Sequence, residues 1–534
     1  MSEKDYQMMK KHLMTLLLLL IAVTPWDMSV AQSTIPDFRV NEDLGTVGID
    51  EGSPSIAVDR MGNFMVVWRD DRQDSRGDIF AQRFSPDGMF IGSNFKVNDD
   101  EGSASQKSPN VACDTDRRFV VVWQDFRHVT SDIYAQRYSS DGLRVGNNFR
   151  VNDDAGEAPQ WLPTVGMDGR GYFVIVWRDD RTGNFDVYAQ RYADDVSPMG
   201  ANFEVYGSIN ESTSARQPSL CVAETGAFGV VWTGHGLSHG DIYGRFYSRD
   251  GKSLGNRFLV NERNNIVGEG NPDRWPFCDN PAIGADETGN FIVVWQDRRN
   301  LDYESDIYAQ HYAADGSLVG MNFRVNDDEE NAAQIHPSVN VDESTGSYVV
   351  VWADKRSGNG EIGIYAQRYT HDGTPIGSNF RVSHTGPEQK YAPDVELMND
   401  VMYTAWKSYD RDGGYNVYAS IVDWRGSSPA QSACRLRQSY PNPFSSRSSP
   451  TSGSGTVTTI AYELYVTTDV WLTVFDLRGR KVRTLVNTQQ TAGSHTEFWD
   501  GRDDEGRIVA SGVYICALQV GNERFHTTRV VFMK

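Results

Sequence analysis

The chain has 534 residues, of which 72 are Asp or Glu and 51 are Lys or Arg, so its formal net charge is −21. A surface this acidic repels phosphate backbones, which excludes nucleic acid as an expected partner. The length allows roughly two to four domains, although a single repeat fold can occupy most of it.

Residues 1–31 have the pattern of an export signal. Three lysines precede an apolar stretch over residues 13–23, and small residues at 29–31 offer a cleavage site. The apolar stretch is short for a membrane span. We therefore expect cleavage near Ala31 and a mature chain that is secreted or displayed at the outer cell surface, without a transmembrane segment. Retention as an uncleaved anchor is the alternative.

A tryptophan that ends a short apolar run is repeated seven times at intervals of 54 to 63 residues. The copies are Trp68, Trp123, Trp177, Trp232, Trp295, Trp352 and Trp406. A period of this length built from short strand-like runs is typical of stacked β-sheet blades, none of which can bury its faces alone. The buried strand position predicts that these tryptophans belong to the scaffold between blades; a stacking ladder for sugars is the alternative.

Each copy contains four short strands, and the fourth begins with phenylalanine. Seven such strands begin at Phe38, Phe95, Phe149, Phe203, Phe258, Phe323 and Phe380. The first lies before the first copy, and none follows the last copy. We therefore predict an all-β fold in which residues 32–424 form a seven-bladed β-propeller, closed by Phe38–Asn41 as the outer strand of the last blade.

Five copies continue after the tryptophan with the pattern W-x-D-x-R. The pairs are Asp70 with Arg72, Asp125 with Arg127, Asp179 with Arg181, Asp297 with Arg299, and Asp354 with Arg356. Carboxylate and guanidinium groups at this spacing suit ion pairs that stiffen the loops after each second strand. The fivefold recurrence favours this structural role over ligand binding.

The loops that connect successive blades are acidic. They contain Asp99, Asp100, Asp153, Asp154, Asp327 and Asp328. Clustered carboxylates suit a hard cation, so Ca²⁺ is a candidate cofactor at these residues. An acidic, solvated rim without a metal is the alternative interpretation.

The residues two positions before the first-strand prolines should surround one end of the propeller axis. They differ between copies and are Gly52, Lys107, Trp161, Arg216, Asp279, Ile335 and Tyr391. Aromatic side chains beside arginine suit a glycan or a peptide, because both stacking and hydrogen bonding are available. We therefore predict ligand binding by Trp161, Arg216 and Tyr391, together with Trp275 in the longest inter-blade loop. Coverage of their own loops is the alternative.

The fourth copy departs from the pattern, because its loop contains His235 and His239 in place of the Asp and Arg of its siblings. With Asp273 these histidines could bind a metal ion. Ordinary surface is the favoured interpretation of so sparse a group.

A second domain follows a linker. Residues 425–455 are rich in Ser, Pro and Gly and lack periodicity, which indicates a linker. Residues 456–534 contain six short alternating strands with glycine-bearing turns, which predicts a small Ig-like β-sandwich.

Motifs along this region occur in a specific order. They include Tyr440, Pro441, Asn442, Pro443 and Phe444, and then Gly479, Gly512, Tyr514 and the terminal Lys534. In this order the residues from about 438 to 534 resemble the type A C-terminal sorting domain of type IX secretion system cargo. The resemblance implies that the type IX machinery of a Bacteroidetes-type cell is a partner and exports the chain across the outer membrane. An ordinary Ig-like accessory domain related to those of flagellar hook-capping proteins is the alternative.

No catalytic motif accompanies this architecture. The sequence lacks H-E-x-x-H and a P-loop. We therefore expect a secreted binding or interaction module for a glycan or a protein rather than an enzyme. A carbohydrate-active hydrolase or lyase that uses acidic residues of the loop-rich face is one alternative, and a structural or adhesive surface component is the other.

Overall fold

A computed structural model shows an all-β protein. It describes residues 33–41, 53–71, 76–100, 102, 104–154, 156, 158–207, 214–235, 240–262, 277–299, 304–328, 332–342, 345–358, 360–384, 388–409, 414–423, 434–436, 444–445, 457–464, 468–476, 479–491, 493–520 and 526–534. The signal segment, His239 and Trp275 lie outside these ranges. Within them, no helix has the length and apolar character needed to cross a membrane.

The described chain begins with strand β1 (Ser33–Arg39) and continues with four-stranded antiparallel sheets. Sheet 1 contains β2 (Ser55–Val58), β3 (Phe64–Asp70), β4 (Asp78–Phe84) and β5 (Phe90–Lys96). Sheet 2 contains β6 (Gln106–Cys113), β7 (Phe119–Asp125), β8 (Asp132–Tyr138) and β9 (Arg144–Arg150). Sheet 3 contains β10 (Gln160–Met167), β11 (Phe173–Asp179), β12 (Asp186–Tyr192) and β13 (Phe203–Tyr206).

The next four sheets repeat this order. Sheet 4 contains β14 (Ser214–Val222), β15 (Phe228–His235), β16 (Gly240–Tyr247) and β17 (Phe258–Leu259). Sheet 5 contains β18 (Cys278–Ala285), β19 (Phe291–Asp297), β20 (Asp306–Tyr312) and β21 (Leu318–Arg324). Sheet 6 contains β22 (Gln334–Val341), β23 (Tyr348–Asp354), β24 (Gly363–Tyr369) and β25 (Pro375–Arg381). Sheet 7 contains β26 (Gln389–Met398), β27 (Val401–Tyr409), β28 (Tyr415–Asp423) and β1.

The N-terminal strand is the outer strand of sheet 7, as its sequence position predicts. Phe38 lies opposite Ala419, and the backbone amide of Val40 donates to the carbonyl of Val417 at 2.7 Å. The first strands of the sheets contact one another in sequence order from β2 to β26, and β26 contacts β2. The first and last repeats are therefore neighbours.

Buried tryptophans fill the spaces between sheets. All seven repeat tryptophans are fully buried, and the core around Trp68 contains Tyr403 of sheet 7 while the core around Trp123 contains Met65 of sheet 1. This confirms their prediction as scaffold. In five sheets the indole N–H donates to the aspartate two residues later, for example from Trp177 to Asp179 at 2.7 Å.

The C-terminal region forms two further sheets. One contains β29 (Cys434–Leu436), β31 (Thr458–Leu464) and β34 (Gly493–Trp499). The other contains β30 (Phe444–Ser445), β32 (Thr468–Asp476), β33 (Lys481–Gln490), β35 (Gly512–Val520) and β36 (His526–Met533). Side chains from both sheets share one apolar core, so the region is a β-sandwich.

Two short strands differ from the sequence analysis, because β29 and β30 lie within the segment predicted as a linker. Phe444 is fully buried, and its ring lies 5.4 Å from that of Trp499 and 5.0 Å from that of Phe532. Strands of two or three residues show no alternation that a sequence pattern could reveal.

Candidate functional site

A cavity of about 230 Å³ runs between the first strands of the seven sheets. Polar side chains that follow the first-strand prolines form a belt in its wall. The Asp394 carboxylate accepts hydrogen bonds from the hydroxyls of Ser338 at 3.0 Å and Ser55 at 2.9 Å. Ser55 accepts from the amide of Asn110 at 3.0 Å, and Asn110 accepts from the backbone N–H of Val165 at 2.8 Å. The belt thus links sheets 6, 7, 1, 2 and 3.

An ion pair spans one end of this cavity. Arg60, in the first turn of sheet 1, contacts Glu224 in the equivalent turn of sheet 4 at 2.8 Å. Glu224 also accepts the backbone N–H of Gly169 at 3.1 Å, and the carbonyl of Gly169 accepts the hydroxyl of Thr115. Turns of four sheets are therefore tied together at this end.

At the opposite end, the first strands of sheets 2 to 7 carry a bulge before the proline. The residue before the proline has a positive φ of 49–53° in each: Ser108, Leu162, Gln217, Asn280, His336 and Ala392. The strand register shifts at the same place. The bulge recurs in six sheets and therefore belongs to the repeat scaffold, and the side chains beside it form one surface at this end of the cavity.

We call this surface the mouth. In each of sheets 2 to 7 it contains the two residues that precede the first-strand proline. It also contains the second-strand residue that pairs with the first of these two. The first residues are Lys107, Trp161, Arg216, Asp279, Ile335 and Tyr391, and their partners are Gln124, Arg178, Thr233, Gln296, Ala353 and Lys407. Gly52 lies outside the described residues.

The mouth is cationic although the chain is acidic. Its charged side chains are Lys107, Arg178, Arg216 and Lys407 against Asp279. Three of the four predicted ligand-binding residues, Trp161, Arg216 and Tyr391, occupy equivalent positions in sheets 3, 4 and 7 of the mouth; the fourth, Trp275, lies outside the described residues. An anionic ligand is favoured at a surface with this balance of charge.

Aromatic and basic side chains form one side of the mouth. The guanidinium of Arg178 lies 4.7 Å from the ring centroid of Trp161 and 3.5 Å from that of Phe185, and the two rings are themselves in edge contact at 5.5 Å. Trp161 is half-buried, and in the neighbouring sheet Arg216 is exposed without a hydrogen-bond or ion-pair partner among the described residues. A planar cation beside an aromatic face can bind a carboxylate and a sugar ring together.

Asp279 is a carboxyl group that the sequence analysis did not select. Its Oδ1 has no hydrogen-bond partner among the described residues. Burial raises the pKa of Asp279 to about 6, while Arg298 and Asn280 oppose the shift. The amide of Asn280 is itself fixed by Gln217 of the adjacent sheet at 2.7 Å. A carboxyl group in this state can donate a proton under mildly acidic conditions.

His336, in sheet 6, has a pKa that is lowered rather than raised. Burial, together with Lys407 and Lys355, lowers the pKa of His336 to about 4. Its Nδ1 has no hydrogen-bond partner in the described part of the chain. Near neutral pH the imidazole of His336 is uncharged and can accept a proton.

Two contacts fix side chains of sheet 7 beside His336. The ammonium of Lys407 lies 5.0 Å from the ring centroid of Tyr415, and the hydroxyl of Tyr391 donates to Gln389 at 2.7 Å.

The acidic inter-sheet loops have a different role from the mouth. Three of the aspartates form ion pairs with the arginine of the W-x-D-x-R segment that follows. The pairs are Asp99 with Arg127 at 3.0 Å, Asp153 with Arg181 at 3.0 Å, and Asp327 with Arg356 at 2.8 Å. Asp100, Asp154 and Asp328 accept side-chain amides of neighbouring Asn and Gln residues. Over the described ranges, no group of three or more His, Cys, Asp or Glu side chains could hold a metal ion. These six carboxylates thus act as structural acceptors, and calcium plays no part in the function we propose.

The same arginines confirm the structural interpretation of W-x-D-x-R. Arg127, Arg181, Arg299 and Arg356 contact the aspartate two residues earlier at 2.6–2.8 Å. Arg72 lies outside the described residues, as do the side chain of His235, Asp273, Tyr440 and residues 441–443. The sandwich contains Gly479, with a φ of 75°, Gly512, the buried Tyr514 and the exposed Lys534.

Comparison with known proteins identifies the C-terminal domain. Residues 446–523 match the family model of the FlgD Ig-like domain, which confirms the predicted Ig-like fold. The sorting role is not part of that match. No curated protein sequence matches the chain significantly.

Among solved structures, the chain is similar to polysaccharide lyase Uly1, with 11% identity over 72% of this chain and 92% of that chain and a TM-score of 0.47. A protein of unknown function from Dyadobacter fermentans gives 7% identity, 73% and 99% coverage and a TM-score of 0.44. An α-L-arabinanase from Penicillium chrysogenum is similar with 11% identity over 74% of this chain and 99% of that chain and a TM-score of 0.42. Similarities this remote transfer no activity, so the chemistry of the site depends on its own residues.

Proposed function

We propose that the seven sheets are the blades of a closed seven-bladed β-propeller that cleaves an acidic glycan at its mouth. The pairing of β1 with β28 and the contact between β2 and β26 support closure. The substrate class is inferred from charge, because a chain of net charge −21 places four cationic side chains and one acidic side chain at this surface. Uronate units supply the matching carboxylates, and Trp161 and Tyr391 offer aromatic faces for their rings.

The reaction we infer is β-elimination within a uronate unit. His336 takes the proton on the carbon next to the carboxylate, and that electron pair forms the carbon–carbon double bond. The bond to the glycosidic oxygen breaks, and Asp279 gives this leaving oxygen a proton. Arg216 and Lys407 stabilise the charge that develops on the carboxylate. One arrangement carries this assignment: Asp279 and His336 lie at the bulged ends of the first strands of adjacent sheets 5 and 6, and burial there raises the pKa of the carboxyl to about 6 and lowers that of the imidazole to about 4.

Binding without cleavage is the second candidate function. It is favoured by the Nδ1 of His336, which lacks an orienting partner among the described residues, whereas a catalytic imidazole is normally fixed through its second nitrogen. Hydrolysis by the acidic loops is less well supported, because Asp99, Asp153 and Asp327 are paired with arginine.

Incubation of the full chain with polygalacturonate, alginate and hyaluronate separates these functions. β-Elimination predicts a rise in the ultraviolet absorbance of unsaturated uronate with at least one substrate. The His336→Gln variant should lose this signal and retain binding. Binding of a polysaccharide without any absorbance change would support the binding module, and absence of both would refute the proposed site.

For delivery, we propose that the Ig-like sandwich exports the chain through a type IX system after removal of the signal segment. The ordered motifs support this role, and Phe444, which ends the Tyr-Pro-Asn-Pro-Phe motif, is fully buried in the sandwich core. Because Phe444 is buried in the core, the Tyr-Pro-Asn-Pro-Phe motif is attached to the β-sandwich at this residue.

A further inference from the structure

The first turns of sheets 1, 2, 3, 5 and 6 each contain an aspartate five residues after the first-strand proline, and the contacts of this aspartate in sheet 3 differ from those in sheets 1, 2 and 5. Asp59, Asp114 and Asp286 each use Oδ2 to accept a side-chain donor four residues later, at 2.8, 2.5 and 2.7 Å. Asp168 accepts the backbone N–H groups of Arg170 and Tyr172 through Oδ1, at 3.0 and 2.9 Å. Its Oδ2 has no partner among the described residues, although only 1% of the residue is exposed.

The cause is the residue four positions later. The donors to Asp59 and Asp286 are Asn63 and Asn290, whereas the corresponding residue here is Tyr172, whose ring contacts the guanidinium of Arg249 at 5.3 Å. A buried carboxylate oxygen without a donor is costly, and such an atom commonly belongs to a ligand site.

A groove of about 520 Å³ lies beside this aspartate, between sheets 3 and 4. Its wall includes Tyr172, Tyr192, Met199 and Arg249 together with Asp168. Arg191 fixes the far side by donating to the carbonyls of Arg249 and Asp250 at 2.7 Å each. The groove therefore combines aromatic side chains, the carboxylate acceptor of Asp168 and guanidinium donors. It lies between sheets 3 and 4, which the hydrogen bonds of Arg191 hold together.

We propose that this groove is a second binding site, which takes a neutral sugar residue. A sugar hydroxyl supplies the donor that Asp168 Oδ2 lacks, and the apolar face of the ring packs on Tyr172. The groove is lined by two acidic residues, Asp168 and Asp250, and by two arginines, Arg191 and Arg249, so its charges balance and a neutral ligand is favoured. Arg249 is exposed, so its side chain can move aside or donate to a ring substituent.

This site is independent of cleavage at the mouth. Asp168 follows β10 at the end where the Arg60–Glu224 pair spans the cavity, whereas Trp161 lies at the opposite end of the same strand. A glycan with neutral and acidic units could thus be held at two places on one molecule.

Saturation-transfer NMR and calorimetric titration of the full chain with cellobiose, xylobiose and maltose test the proposal. At least one probe should bind, and Asp168→Asn should weaken it about tenfold, because the variant keeps the Oδ1 acceptor of the turn and puts a donor at Oδ2. Tyr172→Asn should also abolish binding, because it restores the internal donor that Asn63 and Asn290 provide elsewhere.

Asp286→Asn, at the equivalent turn of sheet 5, is the matched control and should bind as the natural chain does. Thermal unfolding checks that each variant is folded. Failure of all three probes to bind would overturn the proposal, as would unchanged affinity in folded Asp168→Asn and Tyr172→Asn. Cleavage of acidic polysaccharide should be unaffected by these variants, so loss of one site is distinguishable from loss of the other.

Discussion

The hydroxyl of Ser55 donates to the carboxylate of Asp394 at 2.9 Å, although 339 positions separate the two residues in the chain. The same carboxylate accepts the backbone N–H of Ile56 at 3.1 Å and the hydroxyl of Ser338 at 3.0 Å. Burial raises the pKa of Asp394, and these hydrogen bonds oppose the shift. The first, sixth and last sheets therefore meet at one group in the cavity wall.

Substitution of Ser55 tests how much this junction stabilises the fold. Ser55→Ala removes one donor to Asp394 and one acceptor for Asn110, so we expect a loss of about 1–3 kcal/mol in the free energy of unfolding. Ser219 occupies the equivalent position in sheet 4 and makes no side-chain hydrogen bond among the described residues, so Ser219→Ala is the matched control. Denaturant unfolding of both variants measures the difference, and equal losses would contradict a special role for the junction at Asp394.

The contact between His384 and Asp37 makes the attachment of β1 sensitive to pH. A hydrogen bond from the imidazole to Asp37 raises the pKa of His384, and the backbone N–H of His384 donates to the same carboxylate at 3.0 Å. Because the folded state binds the proton more tightly, the stabilisation is fully present below the unfolded pKa of about 6.5 and is lost as pH rises through the folded value.

His384→Gln should therefore reduce stability at pH about 5.5 and have less effect at about 8.5. The imidazole is partly exposed, so the pH-dependent part should stay below about 1 kcal/mol. The exposed His371, in a turn of sheet 6, provides His371→Gln as a control. Thermal unfolding of the three proteins at both values of pH measures the effect, and an identical deficit of His384→Gln at both would exclude a titrating contact.

The pH profile of cleavage should follow the two groups of the mouth. His336 acts as a base only when it is deprotonated, above its pKa of about 4, and Asp279 acts as an acid only when it is protonated, below about 6. We therefore expect a bell-shaped dependence of kcat/KM with its maximum between these values. Asp279→Asn should lower kcat and remove the alkaline limb; an alkaline limb that persists in this variant would assign it to another group.

The sorting role predicts where a truncated chain accumulates. Deletion of residues 440–534 leaves the signal segment and the seven-sheet region, so the product should reach the periplasm of a cell with a type IX system and stop there. Surface labelling and cell fractionation, with the full chain as reference, measure the distribution. Display of the truncated chain at the surface would contradict the sorting role.

The sequence predicts the scaffold well because scaffold residues recur in every repeat. The spacing of residues such as Trp177 locates the sheets, and the unmatched Phe38 strand correctly indicates the outer strand of sheet 7. The W-x-D-x-R pairing was also predictable. Three arginines of this pattern have a second aspartate partner in the preceding inter-sheet loop, for example Asp153 for Arg181. This second pair was not predictable, because the sequence does not show which loop lies beside which sheet.

The mouth was only partly predictable. The variable positions identify Trp161, Arg216 and Tyr391, but the state of Asp279 and His336 depends on burial by neighbouring sheets, and a single sequence does not reveal that burial. One usable signal was present: His336 precedes a first-strand proline, and that position is occupied by six different residue types across sheets 2 to 7. Positions that vary within a conserved repeat frame are where a ligand site is expected.

A crystal structure of the full-length His336→Gln variant with an acidic oligosaccharide, such as a galacturonate trimer, tests the central claim most directly. The account predicts sugar density in the mouth, with a uronate carboxylate in hydrogen-bond contact with Arg216 or Lys407 and a ring near Trp161 or Tyr391. A saturated complex whose sugar lies away from the mouth would contradict it.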